Sequence, residues 1–116
     1  MKVYAYKNCD TCRRAKKWLD ARGIAYKEIP IREQPPTKAE LRRMLGYAGS
    51  VRKLFNTSGG DYKAMGLKDQ LPSMTDAEAI DLLSSHGNLV KRPFVIGKEF
   101  GTVGFREAEW QTLFGK

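Results

Sequence analysis

Two cysteines, Cys9 and Cys12, are the only ones in a sequence of 116 residues, and two residues separate them. A disulfide that closes so short a loop contributes little stability. Two cysteines and one histidine also cannot complete a structural zinc site without carboxylates. In a reducing compartment the Cys-x-x-Cys spacing is typical of redox chemistry. The alternative is that both cysteines are small, buried apolar residues. The pair is therefore a candidate redox centre.

The surroundings of Cys9 favour a reactive thiolate. Residues 3–6 alternate like a short strand and residues 10–21 place apolar side chains on one helical face, so Cys9 falls just before a helix. The free amides and the dipole of a helix N-terminus favour an anion at that position. Cys12, one turn further on, could attack an adduct on Cys9 and release it as an intramolecular disulfide. Basic residues in the same helix add positive charge: Arg13, Arg14, Lys16 and Lys17.

The first third of the chain predicts a βαβ unit. Gly23 ends the first helix, and residues 24–29 then alternate like a second strand. Strand, helix and strand within about thirty residues predict two parallel strands with a right-handed connection. Pro30, Pro35 and Pro36 then predict a loop.

The remainder of the sequence predicts helices followed by a hairpin. Capping boxes at residues 37–40 and 75–78 each begin a helix, with short helices expected near 50–55 and 61–65. The last elements are strands at 94–96 and 100–103, joined by a turn at 97–99, and a helix at 106–114. The order β-α-β, helices, β-β-α predicts an α/β fold, with a thioredoxin-like core, a mixed sheet and a helical insertion over about residues 37–88. We expect one domain spanning residues 1–116.

The amino-acid composition limits the classes of partner that the protein is expected to bind. The chain has 21 basic and 13 acidic residues, a net charge of +8, which is compatible with an anionic partner. It has no run of five like charges, and its aromatic residues do not interleave with basic ones, so we expect no direct nucleic-acid ligand. No stretch approaches the ~20 apolar residues of a membrane span, and no signal-peptide apolar region forms near the N-terminus. We expect a cytoplasmic monomer.

Pro93 heads the predicted strand at residues 94–96. Strand geometry alone permits a proline there. In thioredoxin-like folds this position is usually a cis proline that faces the reactive cysteine and exposes backbone groups to the substrate. The sequence leaves both the cis and the trans form open.

Four segments carry a resemblance to a known family. The string YKNCDTCRRAKKWL, the segment SVRKLFNTSG with Tyr62, the phrase LVKRPF and the ending VGFREAEW together resemble the arsenate reductase family, which includes ArsC and the Spx regulators. The resemblance covers nearly the whole chain in the same order. It implies a thioredoxin-like core with a helical insertion, and it implies that Cys9 is the nucleophile.

The resemblance also implies an anion-binding cradle of arginines. In arsenate reductases three arginines hold the oxyanion; Arg92 matches one by its place before the strand proline, and Arg106 matches another by its place before the last helix. The third falls at Asn56, a neutral amide that is a weaker oxyanion ligand than arginine. We expect Cys9, Cys12, Arg92 and Arg106 to be catalytic. The expected substrate-binding residues are Asn56, Arg13 and Pro93.

The leading hypothesis is a thiol-dependent reductase. Cys9 attacks an arsenate-like oxyanion or a glutathione-mixed disulfide, and Cys12 or a small thiol resolves the adduct. Arg92 and Arg106 stabilise the negative charge that develops. No metal or tightly bound cofactor is implied, and the electron donor is expected to be glutathione, thioredoxin or glutaredoxin. The alternative is an Spx-type redox-sensing regulator that binds RNA polymerase, although the LFNTSG segment is more similar to a reductase-like branch of the family.

Overall fold

The computed structural model describes residues 1–115. This part of the chain contains four strands and six α-helices. In chain order they are β1 (Lys2–Ala5), α1 (Asp10–Ala21), β2 (Lys27–Pro30), α2 (Lys38–Ala48), α3 (Gly60–Ala64), α4 (Leu67–Gln70), α5 (Asp76–Ser85), β3 (Phe94–Ile96), β4 (Gly101–Val103) and α6 (Glu107–Phe114). Short 3₁₀ turns lie at Val51–Leu54, Leu71–Ser73 and Gly87–Leu89. No helix in residues 1–115 is long and apolar enough to cross a membrane.

The four strands form one mixed sheet in the order β2-β1-β3-β4. β1 runs parallel to β2, and β3 is antiparallel to both β1 and β4. Alternation along β1 sends Val3 and Ala5 into the apolar cluster formed with α1 and α6, and it sends Tyr4 into the cluster formed with α2 and α5. The predicted α/β fold, with its thioredoxin-like core and helical insertion, is confirmed.

Both predicted capping boxes are present. The Thr37 hydroxyl accepts the Glu40 N–H and the Glu40 carboxylate accepts the Thr37 N–H, and residues 75 and 78 repeat the arrangement at α5. These local hydrogen bonds fix the start of each helix independently of the rest of the fold.

The second strand begins later than its alternation predicts. The end of α1 continues as a turn in which the Gly23 N–H bonds to the Asp20 carbonyl and the Ile24 N–H bonds to the Leu19 carbonyl. Gly23 takes the left-handed conformation that such a turn needs, with φ of 67°. Residues 24–26 are therefore outside the sheet. Pro30, predicted in a loop, is instead the last residue of β2, an edge strand that tolerates a proline.

Two sets of backbone contacts bring distant segments together near the end of β1. The Asn56 N–H donates to the Leu89 carbonyl and the Lys91 N–H donates to the Leu54 carbonyl, both at 2.7 Å. The Gly104 N–H donates to the Pro93 carbonyl at 2.9 Å. The segment after α2, the segment before β3 and the loop before α6 are thereby held side by side.

Candidate functional site

Cys9 is the N-cap residue of α1, as the sequence predicts. Its backbone is extended, with φ of −103° and ψ of 114°, and its Sγ accepts the Cys12 N–H at 3.2 Å. The Cys9 carbonyl accepts the first helical hydrogen bond, from the Arg13 N–H. The half-buried sulfur therefore sits where unpaired helix amides stabilise negative charge.

Cys12 lies one turn inside the helix, and its side chain is fully buried. It packs in the cluster that joins α1 and α6 to the sheet, beside Trp18 and Val95. Burial, together with a hydrogen bond to the Cys9 sulfur, raises the pKa of Cys12 from 9.0 to about 12, and the nearby Arg92 charge offsets part of this rise. Cys12 is thus a neutral thiol that can donate a proton towards Cys9.

An electropositive cleft of about 940 Å³ opens at Cys9. Six basic side chains line it, from four separate parts of the fold: Arg14, Arg52, Lys53, Lys91, Arg92 and Arg106. Glu109 is the single acidic residue among the described lining residues, and its carboxylate lies 3.7 Å from the Arg106 Nε. The charge in the cleft favours an anionic ligand or an anionic leaving group.

Arg92 is the half-buried cation of this cleft. Its Nη2 donates to the Asn88 carbonyl at 2.7 Å, and its guanidinium lies 5.6 Å from the centre of the Tyr6 ring. Its Nε is buried and has no hydrogen-bond partner among residues 1–115. A buried donor without a partner is costly, and an anion in the cleft could supply the missing acceptor.

The structure brings Asn56 and Arg106 to the same cleft. Asn56 is half-buried beside Leu89, and Arg106 is the N-cap residue of α6 with 83% of its side chain exposed. The cleft therefore contains Cys9, Arg92, Arg106 and Asn56, four of the seven residues that the sequence singled out.

Two expected substrate-binding residues lie outside the lining of the cleft. Arg13 forms an ion pair with Asp10 and donates to the Lys7 carbonyl at 3.0 Å, so its charge is engaged within its own helix turn and the preceding loop. Pro93 follows a cis peptide bond, is buried, and offers its carbonyl to Gly104 rather than to the cleft.

Other cleft residues were not predicted from the sequence. Four further basic residues line the cleft, all of them exposed: Arg14, Arg52, Lys53 and Lys91. The sequence does carry a partial signal for these four residues, because each lies within a segment that resembles the family. Tyr6 also lines the cleft, and donors from Asn8 and Arg32 lower the pKa of its hydroxyl.

The described part of the chain contains no cluster of metal-binding side chains. Within residues 1–115 no three His, Cys, Asp or Glu side chains come together in a group that could hold a metal ion.

Known proteins resemble this chain in both sequence and fold. The ArsC family model matches residues 4–113. The Bacillus subtilis protein YusI is 45% identical over 93% of this chain and 92% of its own length. An arsenate reductase from Rhizobium meliloti is 34% identical over 83% of this chain and 69% of its own. Proteins named global transcriptional regulator Spx match at 24–30% identity.

Among solved structures, an ArsC-family-related protein from Bacteroides fragilis superposes with a TM-score of 0.91 at 43% identity, covering 97% of this chain and 95% of that one. The family model spans almost all of the chain, including Cys9 and each basic residue of the cleft. The chain therefore belongs to the ArsC family.

Proposed function

We propose that the protein is a thiol-dependent reductase in which Cys9 is the nucleophile and Cys12 resolves the adduct. One observation carries the proposal: the Cys9 sulfur accepts a helix N-terminal amide inside a cleft lined by six basic side chains. A thiolate is the reactive form of cysteine, and a helix N-terminal amide in a positively charged cleft is a setting that favours anionic chemistry. Membership in a family that contains arsenate reductases supports the same class of chemistry.

The reaction on a disulfide substrate has two exchange steps. The Cys9 thiolate attacks one sulfur of the substrate, forms a mixed disulfide, and expels the other sulfur as a thiolate that takes a proton from solvent. Cys12 then attacks the Cys9 sulfur and passes its proton to the second substrate sulfur as that sulfur departs. The Cys9–Cys12 disulfide forms and the second substrate fragment leaves as a thiol. Two electrons have passed to the substrate, and an external thiol such as glutathione, thioredoxin or glutaredoxin returns them.

The cations of the cleft act on the charge that moves in these steps. Arg92, with its unpartnered Nε, and the exposed Arg106 stabilise the departing thiolate or a bound oxyanion. The neutral amide of Asn56 supports a disulfide rather than arsenate as the preferred substrate, because an arginine would bind an oxyanion more strongly.

The alternative is a redox-sensing regulator that binds RNA polymerase. The matches to proteins named Spx favour it, and the same Cys9–Cys12 disulfide would be its signal. A regulator needs the disulfide to form once for each oxidation event, whereas a reductase must pass through it in every cycle. Continuous turnover therefore distinguishes the two functions.

A turnover assay tests the proposal. Purified protein is supplied with hydroxyethyl disulfide, a glutathione-mixed disulfide or arsenate, with either thioredoxin or glutathione plus glutaredoxin as donor. We expect turnover of at least one disulfide, abolished in Cys9→Ser but not in the exposed-residue control Ser85→Ala. Absence of turnover on every substrate, with oxidation-dependent retention of RNA polymerase, would favour the regulator instead.

A further inference from the structure

The cleft holds more free positive charge than the reaction at Cys9 requires. Of its six basic side chains, only Arg106 forms an ion pair with another residue in the stretch 1–115. The side chains of Arg14, Arg52, Lys53 and Lys91 also donate no hydrogen bond within that stretch. Arg14 lies 5.8 Å from the centre of the Phe105 ring, so Arg52, Lys53 and Lys91 are the cleft cations that no described ion pair, side-chain hydrogen bond or aromatic ring engages.

The volume of the cleft is also larger than the reacting group requires. At about 940 Å³, the cleft lies at the upper end of the roughly 300–1,000 Å³ of pockets that hold drug-sized ligands. A small oxyanion or the two sulfurs of a simple disulfide would fill only a fraction of this space. The cleft therefore has space and positive charge for parts of a larger ligand that do not react.

The cations lie on different walls of the cleft. Arg52 and Lys53 belong to the 3₁₀ turn after α2, whereas Arg14 lies on α1, next to Cys9 and Cys12 in sequence. The cleft is also lined by residues 56–58 and 101–104, which carry no charged side chains. Strand β4, which supplies part of this lining, is an edge strand of the described sheet and pairs there only with β3. An extended peptide fits such a surface, because an edge strand offers unpaired backbone groups.

We propose that the substrate is an acidic peptide segment that carries the disulfide, with carboxylates bound by Arg52 and Lys53 while its sulfur lies at Cys9. This proposal rests on the reductase function proposed above and names its substrate class. Charge complementarity supports it: five unpaired cations face a single carboxylate in the lining. A peptide is favoured over a nucleic acid because the group that must reach Cys9 is a sulfur.

Binding to an unreactive variant tests the site without turnover. The probe is a fluorescein-labelled nonapeptide in which four glutamates, two on each side, flank a central serine, and its partner carries four glutamines instead. Anisotropy with Cys9→Ser is expected to show at least about tenfold tighter binding of the glutamate peptide at low salt, with the difference shrinking as salt rises.

Charge reversal tests whether Arg52 and Lys53 bind the carboxylates of the peptide. Adding Arg52→Glu and Lys53→Glu to Cys9→Ser should remove most of the preference for the glutamate peptide. The matched control is Arg42→Glu with Lys63→Glu, which makes the same charge change at exposed residues outside the cleft. Equal binding of the two peptides, an equal loss in the control, or tighter binding of single-stranded DNA than of the glutamate peptide would each overturn the proposal.

A separate readout keeps this proposal distinct from the reductase function. If wild type reduces hydroxyethyl disulfide but shows no preference for the acidic peptide, the function stands and the peptide site is wrong. If the acidic peptide binds selectively but no disulfide is ever turned over, the site stands and the reductase function is wrong.

Discussion

At the scale of single residues, Cys9 and Cys12 show how one motif creates two different thiols. Cys9 is half-buried and its sulfur accepts a backbone N–H, whereas Cys12 is fully enclosed by apolar side chains. The spacing predicts that the pair is redox-active, and the apolar periodicity of residues 10–21 predicts that Cys9 precedes a helix. Neither pattern reveals how deeply Cys12 is buried, because that depends on Trp18, Val95 and Trp110, which come from three elements.

The raised pKa of Cys12 predicts a stability change at alkaline pH. Above about pH 9 the unfolded chain releases the Cys12 proton, while the folded chain retains it up to about pH 12. The unfolded state thus binds fewer protons, and the stability contribution of Cys12, complete below pH 9, is lost as pH rises through this window. Urea unfolding of wild type and Cys12→Ala at about pH 8 and 10 should show a steeper alkaline loss in wild type. Parallel losses in the two proteins would refute the assignment.

Asn56 predicts a gain of oxyanion affinity. Asn56→Arg should raise arsenate-dependent turnover by about tenfold, because a charge-assisted hydrogen bond in a partly dehydrated cleft is roughly twice as strong as a neutral one. The measurement is kcat/KM for arsenate, with alkylation of Cys9 by a neutral reagent as a check on general thiol reactivity. Thr57→Arg, which adds the same charge at the next cleft residue, is the control. No gain in Asn56→Arg, or an equal gain in Thr57→Arg, would show that position 56 does not contact the oxyanion.

At the scale of elements, Glu40 links a helix start to the sheet. Its carboxylate completes the capping box of α2 and also accepts the Tyr4 hydroxyl at 2.6 Å and the Lys2 ammonium at 3.0 Å, both from β1. Glu78 occupies the same position in the capping box of α5. The sequence predicts both boxes because their bonds are local, but it does not predict the contact with β1, which spans 36 residues.

The two glutamates therefore predict unequal losses of stability. Glu78→Ala should cost about 1 kcal/mol, as the loss of a helix cap does. Glu40→Ala should cost about 1–2 kcal/mol more, because it also leaves the buried Tyr4 hydroxyl without its partner. Equilibrium urea unfolding of both variants measures the difference. Equal losses would show that the bonds to β1 add nothing.

At the scale of the whole molecule, the cleft depends on contacts between segments far apart in sequence. Residues 54–56 are tied to residues 89–91, and the loop before α6 is tied to Pro93. The strand-to-helix pattern located Cys9, and the family resemblance located Asn56, Arg92 and Arg106, the last two by their places before Pro93 and before the last helix. Arg14 and Lys91 are exposed and also line the cleft; the sequence does not reveal this second fact, because the surface to which a charged side chain belongs is decided only when these segments assemble.

Gly87 is one point on which this assembly depends. A Cβ at residue 87 would lie 1.9 Å from the Ile31 carbonyl oxygen, a backbone atom that cannot move cheaply. Gly87→Ala should therefore destabilise the protein by at least about 2 kcal/mol and lower kcat/KM, since the next residue, Asn88, holds Arg92.

Gly46 provides the matched control for this change. It lies in α2 with nothing near its added Cβ, so Gly46→Ala should stabilise the protein by about 0.5–1 kcal/mol and leave activity unchanged. Thermal unfolding compares the two variants. If Gly87→Ala left both the free energy of unfolding and kcat/KM unchanged, the close approach of residue 87 to Ile31 would not constrain the fold.

The most direct test of the central claim is to trap the intermediate on Cys9. Cys12→Ser, treated with a glutathione-mixed disulfide, should accumulate one glutathione per chain, mapped by mass spectrometry to Cys9. Wild type should instead convert to the Cys9–Cys12 disulfide with no retained glutathione, because Cys12 resolves the adduct. Cys9→Ser should remain unmodified, since the Cys12 thiol is buried and neutral. Glutathione found on Cys12 of Cys9→Ser at a comparable rate, or retained on Cys9 of wild type, would contradict the assigned roles of the two cysteines.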